Sequence, residues 1–248
     1  VGAQVTKFKP GDAVFGYVGS TFGAYAEYLC LPESGAVALK PANLSFEEAA
    51  AIPYGAIMAY NLMKLVEIKP GDRVLINGAS GAIGSAALQL AKLRGAQVTG
   101  VCGTARVETV RALGADRVVD YTREDFTQSG ETYDLIFDVL RKGSLAKFKS
   151  VLKPKGVLLF ASFKLRELVE SMRTRNSTGQ RVICKLVPEN QETLNAVREL
   201  IAAGKLKVSI DRWYPLEQAA EAHRYAESGQ KTGAIVITVP QGSPAGAA

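Results

Sequence analysis

The sequence contains few cysteines, a single histidine and no long apolar segment. Its three cysteines, Cys30, Cys102 and Cys184, lie far apart and form no paired framework, which is typical of proteins from a reducing compartment. The longest nearly unbroken apolar run covers only residues 156–161, whereas a helix that crosses a bilayer needs about 20 apolar residues. We therefore predict neither a disulfide-stabilised miniprotein nor a membrane-spanning protein.

The excess of one charge sign is also small, because 30 basic residues oppose 24 acidic ones and leave a net charge of +6. The two signs are interleaved along the chain, which predicts a solvated surface with a mild preference for anions. A phosphate-bearing small molecule fits this charge as well as nucleic acid does. The sequence has no RNA-binding motif of aromatic and basic residues, so a nucleic-acid partner is only an alternative.

The chain starts at Val1 without an initiator methionine, and residues 1–45 read as short strands separated by turns, with partial alternation over 24–30. We expect an N-terminally truncated chain whose partner strands lie upstream. We also expect a cytoplasmic protein, although a targeting segment in the upstream part is left open. Ser45 followed by Glu48 is a capping-box pattern, which predicts a helix from residue 46.

From residue 73 the pattern becomes an alternation of strands and helices. We predict strands near 73–77, 97–102, 117–119, 134–138, 156–161 and 181–186, and helices near 82–94, 106–113, 144–152 and 164–173. This alternation predicts an α/β fold with a doubly wound parallel sheet of the Rossmann class. We then predict a helix over 191–203, a strand over 206–213, a helix over 216–228, a strand over 234–239 and a disordered tail.

The sharpest motif is a glycine-rich turn in which Gly78, Gly81 and Gly84 follow a buried strand and lead directly into a helix. Glycine permits close backbone approach, and the helix N-terminus supplies free N–H groups and the positive end of the helix dipole. The pattern predicts a site for a dinucleotide pyrophosphate. Two other interpretations stay open. One is a tight connection without a ligand, and the other is a serine hydrolase with Ser80 as nucleophile and His223, the only histidine, as base.

The second strand of this unit indicates which dinucleotide binds. Sheets that bind NAD usually carry Asp or Glu at the end of that strand to accept a hydrogen bond from the ribose 2′-hydroxyl, and residues 97–102 end without one. Gly103, Thr104 and Arg106 follow instead. A hydroxyl together with a guanidinium suits a 2′-phosphate, which Arg binds in bidentate fashion, so we predict NADPH as the cofactor. The alternative for Arg106 is an exposed residue of the next helix.

Six motifs occur in the order known from one family, and they cover residues 8–14, 49–54, 78–84, 113–121, 152–156 and 214–223. Together they resemble the zinc-independent, zeta-crystallin-like quinone oxidoreductase branch of the medium-chain dehydrogenases/reductases, over nearly the whole chain. The resemblance implies a Rossmann domain beside a partial GroES-like β-barrel built from N- and C-terminal segments, and a homodimer when full length. The implied domains are 1–46 (partial GroES-like), 47–187 (Rossmann, NADP-binding), 188–240 (return to the GroES-like domain) and 241–248 (disordered tail).

The resemblance also implies the cofactor-binding residues. The phosphate turn comprises Gly78, Ala79, Ser80, Gly81, Ala82, Ile83 and Gly84. Near the adenosine phosphate and its ribose the resemblance places Gly103, Thr104, Arg106 and Tyr121. Near the nicotinamide and its ribose it places Val139, Phe160, Ala161, Cys184, Lys185 and Leu186, with Gly233 closing the cleft.

Tyr54 stands where zinc-dependent relatives have a zinc-ligand cysteine. A phenol is not a comparable soft ligand, and the sequence has no Cys-x-x-Cys pair for structural zinc, so we predict a protein without a metal. Tyr54 then either donates a hydrogen bond to a substrate carbonyl or is an ordinary packed tyrosine. The chain departs from the family pattern at Met58, where many relatives have Thr, and at Leu140 and Arg141, where many have Gly.

The activity that the resemblance implies is the NADPH-dependent reduction of quinones or α,β-unsaturated carbonyls (enals and enones) by hydride transfer without zinc. Two alternatives stay open. One is an alcohol or carbonyl dehydrogenase of the same superfamily, and the other is a non-catalytic protein that binds NADPH or nucleic acid. The sequence identifies no catalytic residue beyond the possible substrate contact at Tyr54.

Overall fold

The computed structural model describes residues 1–140, 143–175 and 179–239, with the exception of the Ser20 side chain. Arg141 and the tail expected over 241–248 lie outside the described residues. Within them, no helix is both long and apolar enough to cross a bilayer.

The described residues form ten strands, β1 (Val14–Tyr17), β2 (Ala36–Leu39), β3 (Arg73–Asn77), β4 (Gln97–Cys102), β5 (Arg117–Asp120), β6 (Tyr133–Asp138), β7 (Leu152–Phe160), β8 (Arg181–Cys184), β9 (Ile210–Pro215) and β10 (Ala234–Thr238). They form eight α-helices, α1 (Phe46–Ala51), α2 (Pro53–Met63), α3 (Ala82–Leu93), α4 (Val107–Ala112), α5 (Leu145–Ser150), α6 (Leu165–Thr174), α7 (Gln191–Ala202) and α8 (Ala219–Glu227).

Six of the strands form one sheet in the order β5-β4-β3-β6-β7-β8, and every neighbouring pair in it is parallel. β3 pairs with both β4 and β6, so the chain order reverses between β3 and β6. This sheet confirms the predicted doubly wound α/β fold. In such folds ligands bind in the crevice beyond the carboxyl ends of the strands at the point of reversal.

Alternate residues of the central strands belong to two apolar cores. Val74 and Ile76 of β3 pack in the cluster that includes α2, α3 and α7, whereas Leu75 packs in the cluster of the opposite face with Phe148 of α5. All three β3 side chains are fully buried. Because both faces of the sheet are covered, this strand reads as a continuous apolar run in the sequence.

Two small sheets lie outside the six-stranded one. β1 pairs antiparallel with β2, and β9 pairs parallel with β10. They belong to the N- and C-terminal segments in which the resemblance implies the GroES-like domain. The division of the chain into domains stays a prediction.

Three expected strands differ from the structure. The strand expected from residue 156 already starts at Leu152, because Leu152 pairs with Tyr133 ahead of a register shift between β6 and β7. Residues 24–30 contain no strand. Tyr28 is 84% exposed, so the partial alternation of apolar and polar residues in this segment does not mark a strand with one buried face. The strand expected from residue 206 starts at Ile210, because the side chain of Gln89 takes both backbone groups of Lys207. Nε2 of Gln89 donates to the Lys207 carbonyl over 3.0 Å, and the Lys207 N–H donates to Oε1 over 2.8 Å.

The start of α1 confirms the capping box. The Ser45 hydroxyl accepts from the Glu48 N–H over 3.2 Å, and the Glu48 carboxylate accepts from the Ser45 N–H over 2.8 Å. α2 starts at Pro53, with only one residue between it and the end of α1. Proline is tolerated at the first position of a helix, because an N–H group there would have no partner within the helix. Glycine at position 55 lets α2 approach α3 closely, since a Cβ there would lie 2.4 Å from the Ala82 carbonyl oxygen. This contact fixes α2 beside the first residue of α3.

Candidate nucleotide-binding site

The glycine-rich turn joins the end of β3 at Asn77 to the start of α3 at Ala82. Gly78 has a φ of +92°, a conformation that side chains rarely adopt and glycine adopts freely. The N–H groups of Gly78 and Ala79 donate to the Val101 carbonyl of β4 over 3.1 and 3.0 Å. The turn is therefore held to the neighbouring strand at the point of chain reversal.

The other two glycines of the motif have different surroundings. A Cβ at position 84 would lie 2.1 Å from the Gly78 carbonyl oxygen, so only glycine lets the first turn of α3 pack on the loop. At Gly81 the nearest atom is the same oxygen at 3.6 Å, which leaves its other side open. Gly81 is the N-cap of α3, and the first N–H groups of a helix have no partner within the helix. This arrangement suits a phosphate group at the helix N-terminus.

A cleft of about 390 Å³ opens beside this turn, at the carboxyl ends of β3 and β4. Its lining includes five of the expected cofactor residues, namely Gly78, Ser80, Gly81, Arg106 and Tyr121. Residues from two distant parts of the sequence therefore meet the turn in one cleft.

The adenosine end of the cleft is formed by the segment after β4. Arg106 ends a short 3-10 turn, and its guanidinium donates to the Gly229 carbonyl oxygen in the loop after α8. Lys231 of the same loop also lines the cleft. Lys231 was not predicted, because a single lysine between Gln230 and Thr232 in a loop is indistinguishable in sequence from a solvated surface residue.

Thr104 and Tyr121 are fixed by different partners. The Thr104 hydroxyl donates to Oδ2 of Asp120 over 2.6 Å, and this bond is the main reason that the pKa of Asp120 lies below its usual value. The Tyr121 N–H donates to the Cys102 carbonyl over 3.0 Å, and a Cβ at position 103 would lie 3.4 Å from the Tyr121 hydroxyl. Thr104 thus ties the end of β4 to the end of β5, while the Tyr121 ring stays 57% exposed at the cleft.

The residues expected near the nicotinamide lie along the same edge of the sheet, beyond the cleft lining. The Val139 N–H donates to the Asn77 carbonyl over 3.1 Å, and the Ala161 N–H donates to the Asp138 carbonyl over 3.0 Å, so the strand ends are level. The Phe160 side chain is buried in the second core. Cys184 ends β8 and is half-buried, and the exposed Lys185 and Leu186 follow it.

Gly233 lies outside the cleft lining. A Cβ at this position would lie 2.5 Å from the Ser209 carbonyl oxygen, and the Ala234 N–H donates to that oxygen over 2.8 Å. Its closest contact is therefore the backbone that precedes β9. In the C-terminal loop, Gly229 and Lys231 are the residues that line the cleft.

Tyr54 is the second residue of α2, and its side chain is 51% exposed between the buried Pro53 and Gly55. Its ring centroid lies 6.1 Å from that of Tyr17 at the end of β1. Burial, together with the nearby Glu189 and Tyr54, raises the pKa of Tyr17. Two phenols therefore lie side by side next to Gly55, which contacts the start of α3.

The departure at Leu140 affects the turn itself. A Cβ at Gly78 would lie 2.7 Å from Cγ of Leu140, so this side chain packs directly on the glycine and lines the cleft.

His223, the base that a hydrolase would need, pairs through Nε2 with the Tyr25 hydroxyl at 3.0 Å, and the Ser80 side chain is buried. The geometry thus favours phosphate binding at this turn over nucleophilic catalysis by Ser80.

Metal ligands are sparse where the structure can be described. In residues 1–140, 143–175 and 179–239, no group of three or more His, Cys, Asp or Glu side chains could hold a metal ion. Independence of zinc stays a prediction.

Comparison with known sequences identifies related proteins. A family model described as zinc-binding dehydrogenase matches residues 113–237. The chain is 32% identical to 2-methylene-furan-3-one reductase of Solanum lycopersicum, over 96% of the chain and 60% of that protein. It is 32% identical to a chloroplast quinone oxidoreductase of Triphysaria versicolor, over 96% and 75%, and 31% identical to a chloroplast NADPH-dependent alkenal/one oxidoreductase of Arabidopsis thaliana, over 96% and 60%. The chain thus spans less than two thirds of two of these relatives.

Comparison with solved structures agrees. The quinone oxidoreductase of Coxiella burnetii superposes with a TM-score of 0.83 at 28% identity, over 96% of this chain and 75% of that one. The resemblance seen in the sequence motifs is therefore confirmed, and the family is one of nicotinamide-dependent oxidoreductases. The chain belongs to the zinc-binding dehydrogenase family, among relatives named quinone and alkenal/one oxidoreductases.

Proposed function

We propose that this protein binds NADPH and reduces quinones or α,β-unsaturated carbonyls. The observation that carries the proposal is the cleft at the chain reversal, where the glycine turn and Arg106 face the same space. The names of the relatives support the acceptor class, and one of them names NADPH.

The cleft residues fit the two ends of such a cofactor. The turn around Gly81 and the N-terminus of α3 would hold the pyrophosphate, since the first N–H groups of a helix have no partner within the helix and the space beside Gly81 is open. Arg106 would pair with the 2′-phosphate, and the exposed Tyr121 ring would cover the adenosine ribose. Val139 and Ala161 directly follow β6 and β7, and Cys184 ends β8, so all three occupy positions suited to the nicotinamide half.

The bound cofactor would supply the hydride, and the protein would supply orientation and polarisation. Backbone hydrogen bonds join Val139 to Asn77 and Ala161 to Asp138, so they would hold the strand ends beside the nicotinamide in fixed positions. Tyr54 would donate a hydrogen bond to the acceptor oxygen and stabilise the charge that develops there. A conjugated acceptor spreads this charge over several atoms, so a Lewis-acid metal is not required.

The cofactor proposal is tested by affinity for the two nicotinamide nucleotides. NADPH should bind at least about tenfold more tightly than NADH, because a charge-assisted phosphate contact contributes about 1.5–3 kcal/mol. Arg106→Ala should remove most of this preference. Arg111→Ala is the matched control, since Arg111 lies on the following helix and pairs with Glu108. Equal affinities in the parent protein, measured by calorimetry, would contradict the assignment of the phosphate site.

The acceptor proposal is tested by NADPH oxidation against a panel of quinones, alkenals and simple ketones. Turnover of the conjugated acceptors alone supports the proposal. Turnover of saturated ketones or alcohols would favour the carbonyl dehydrogenase alternative. Salt-sensitive binding of oligonucleotides without any NADPH oxidation would favour the non-catalytic alternative.

Cellular location and assembly remain predictions. We propose a cytoplasmic homodimer, although the names of two relatives place those proteins in the chloroplast. Fractionation of the source cells and light scattering of the purified protein test the two points separately.

A further inference from the structure

Lys231 reaches the adenosine end of the cleft from the far end of the chain. It lies between α8 and β10, next to the loop carbonyl of Gly229 that accepts from the Arg106 guanidinium. Lys231 is half-buried, and both cations line the same cleft. Two segments distant in sequence thus bring two positive side chains together.

The charges of this cleft are unbalanced. Among the described residues that line it there are two cations, Arg106 and Lys231, and no carboxylate. Burial and the nearby Arg106 guanidinium lower the pKa of Lys231, as expected for two like charges held together. An anion placed between them would remove this repulsion and add charge-assisted hydrogen bonds.

Two carboxylates outside the cleft lining, Asp211 and Asp120, have other partners. Oδ2 of Asp211 accepts from the Tyr225 hydroxyl over 2.8 Å and from the Thr232 N–H over 2.9 Å. Oδ2 of Asp120 accepts from the Thr104 hydroxyl over 2.6 Å. Neither carboxylate lines the cleft, although the charge of Asp211 acts on Lys231 from outside it and opposes the lowering of the lysine pKa.

We infer that Lys231 is the second cationic ligand of the 2′-phosphate and, with Arg106, sets the preference for NADPH; the inference rests on the proposed function. Arg106 provides the planar, bidentate donor and Lys231 the compact point charge that balances the second negative charge of the phosphate. The phosphate would then bridge the turn after β4 and the loop after α8. Cofactor selection is thus shared between the Rossmann segment and the C-terminal segment.

The test uses two nucleotides that differ only in the phosphate. 2′,5′-ADP and 5′-AMP are titrated by calorimetry into the parent protein, Lys231→Met, Lys231→Arg, Arg106→Ala and the double variant. We expect Lys231→Met to weaken 2′,5′-ADP about tenfold and to leave 5′-AMP within about twofold. Lys231→Arg should keep most of the preference, and the double variant should bind the two nucleotides almost equally. Lys205→Met, which removes an exposed lysine outside the cleft, should change neither affinity.

The outcomes separate this inference from the proposed function. Equal weakening of both nucleotides in Lys231→Met would show a general effect on the cleft and overturn the inference. An unchanged affinity for 2′,5′-ADP would overturn it as well. Either result leaves the NADPH proposal standing if the parent protein still prefers 2′,5′-ADP and Arg106→Ala loses that preference. A parent protein without any preference overturns both. Melting temperatures of all variants, with Lys231→Arg as the conservative replacement, show whether a loss of binding reflects a loss of folding.

Discussion

The Asn77 side chain donates from Nδ2 to Oδ1 of Asp138 over 2.7 Å, between the last residues of β3 and β6. The two residues are also register partners, and both are buried. Since the chain order reverses between these strands, the bond joins the two halves of the sheet beneath the cleft. The Leu140 N–H donates to the same carboxylate oxygen over 3.3 Å, so the segment that packs on Gly78 is anchored here too.

Asn77→Ala should lower the free energy of unfolding by about 1–3 kcal/mol, because the buried Asp138 carboxylate loses one of its donors. Urea unfolding of the parent and the variant measures the change. Asn43→Ala is the control, since Asn43 is exposed and its 3.3 Å bond reaches only the Ile201 carbonyl. If both variants lose the same free energy of unfolding, the bond between Asn77 and Asp138 contributes no more to stability than an exposed hydrogen bond does.

The central strands of the sheet were predictable because they are short apolar runs bounded by glycine, proline or charge. The start of β7 was not, because Lys153, Pro154 and Lys155 interrupt its apolar pattern. The strand expected over 97–102 is β4 to the residue, and the capping box at Ser45 set the start of α1 correctly. Such signals depend on neighbours in sequence, and a buried strand must be apolar on both faces.

The adenosine end of the site was less predictable because its contacts join distant residues. Thr104 was expected to face a phosphate, but its acceptor, Asp120, lies 16 positions further along the chain. Lys231 lies near Arg106 because α8 packs beside β10, a contact between segments far from Arg106 in the sequence. A loop of mixed polar residues has no periodicity that fixes where its side chains lie, so the position of Lys231 at the cleft could not be predicted from the sequence.

Gly84→Ala should destabilise the protein by about 1–3 kcal/mol, because the added methyl would overlap the Gly78 carbonyl and push α3 away from the turn. Gly81→Ala is the matched control, since its φ of −77° suits alanine and the nearest atom lies at 3.6 Å. Its loss of stability should be smaller, about 0.5–1 kcal/mol, because alanine is a poorer N-cap than glycine. It should also weaken nucleotide binding, because the methyl enters the cleft. Urea unfolding and calorimetry separate the two effects, and equal stability of both variants would contradict the close approach at Gly84.

The Asp125 carboxylate should make stability depend on pH. Lys147 and the Thr127 side chain and N–H lower the pKa of Asp125 to about 2. A lowered pKa means that the stabilisation is complete above the unfolded value of about 3.9 and is lost as pH falls through about 2. Asp125→Asn should therefore be less stable than the parent at pH 7, and the difference should shrink between about pH 4 and pH 2. Thermal unfolding across this range measures it, and a difference independent of pH would show that charge is not its source.

The three thiols should react at very different rates. Burial raises the pKa of Cys102 to about 11 and that of Cys184 to about 12, whereas Cys30 is exposed. At pH 8 the two raised thiols are about 0.1% thiolate or less, so iodoacetamide should alkylate Cys30 first. Cys30→Ser should remove the fast phase seen by peptide mass spectrometry.

The slow thiols then report which end of the site each nucleotide occupies. Cys102 lines the cleft beside Arg106, so both 2′,5′-ADP and NADPH should slow its alkylation. Cys184 ends β8 on the side proposed for the nicotinamide, so only NADPH should protect it. Cys30→Ser is the background for this experiment, because it removes the fast reaction without altering either slow thiol. Protection of Cys184 by 2′,5′-ADP, which carries no nicotinamide, would contradict the proposed orientation of the cofactor along the sheet edge.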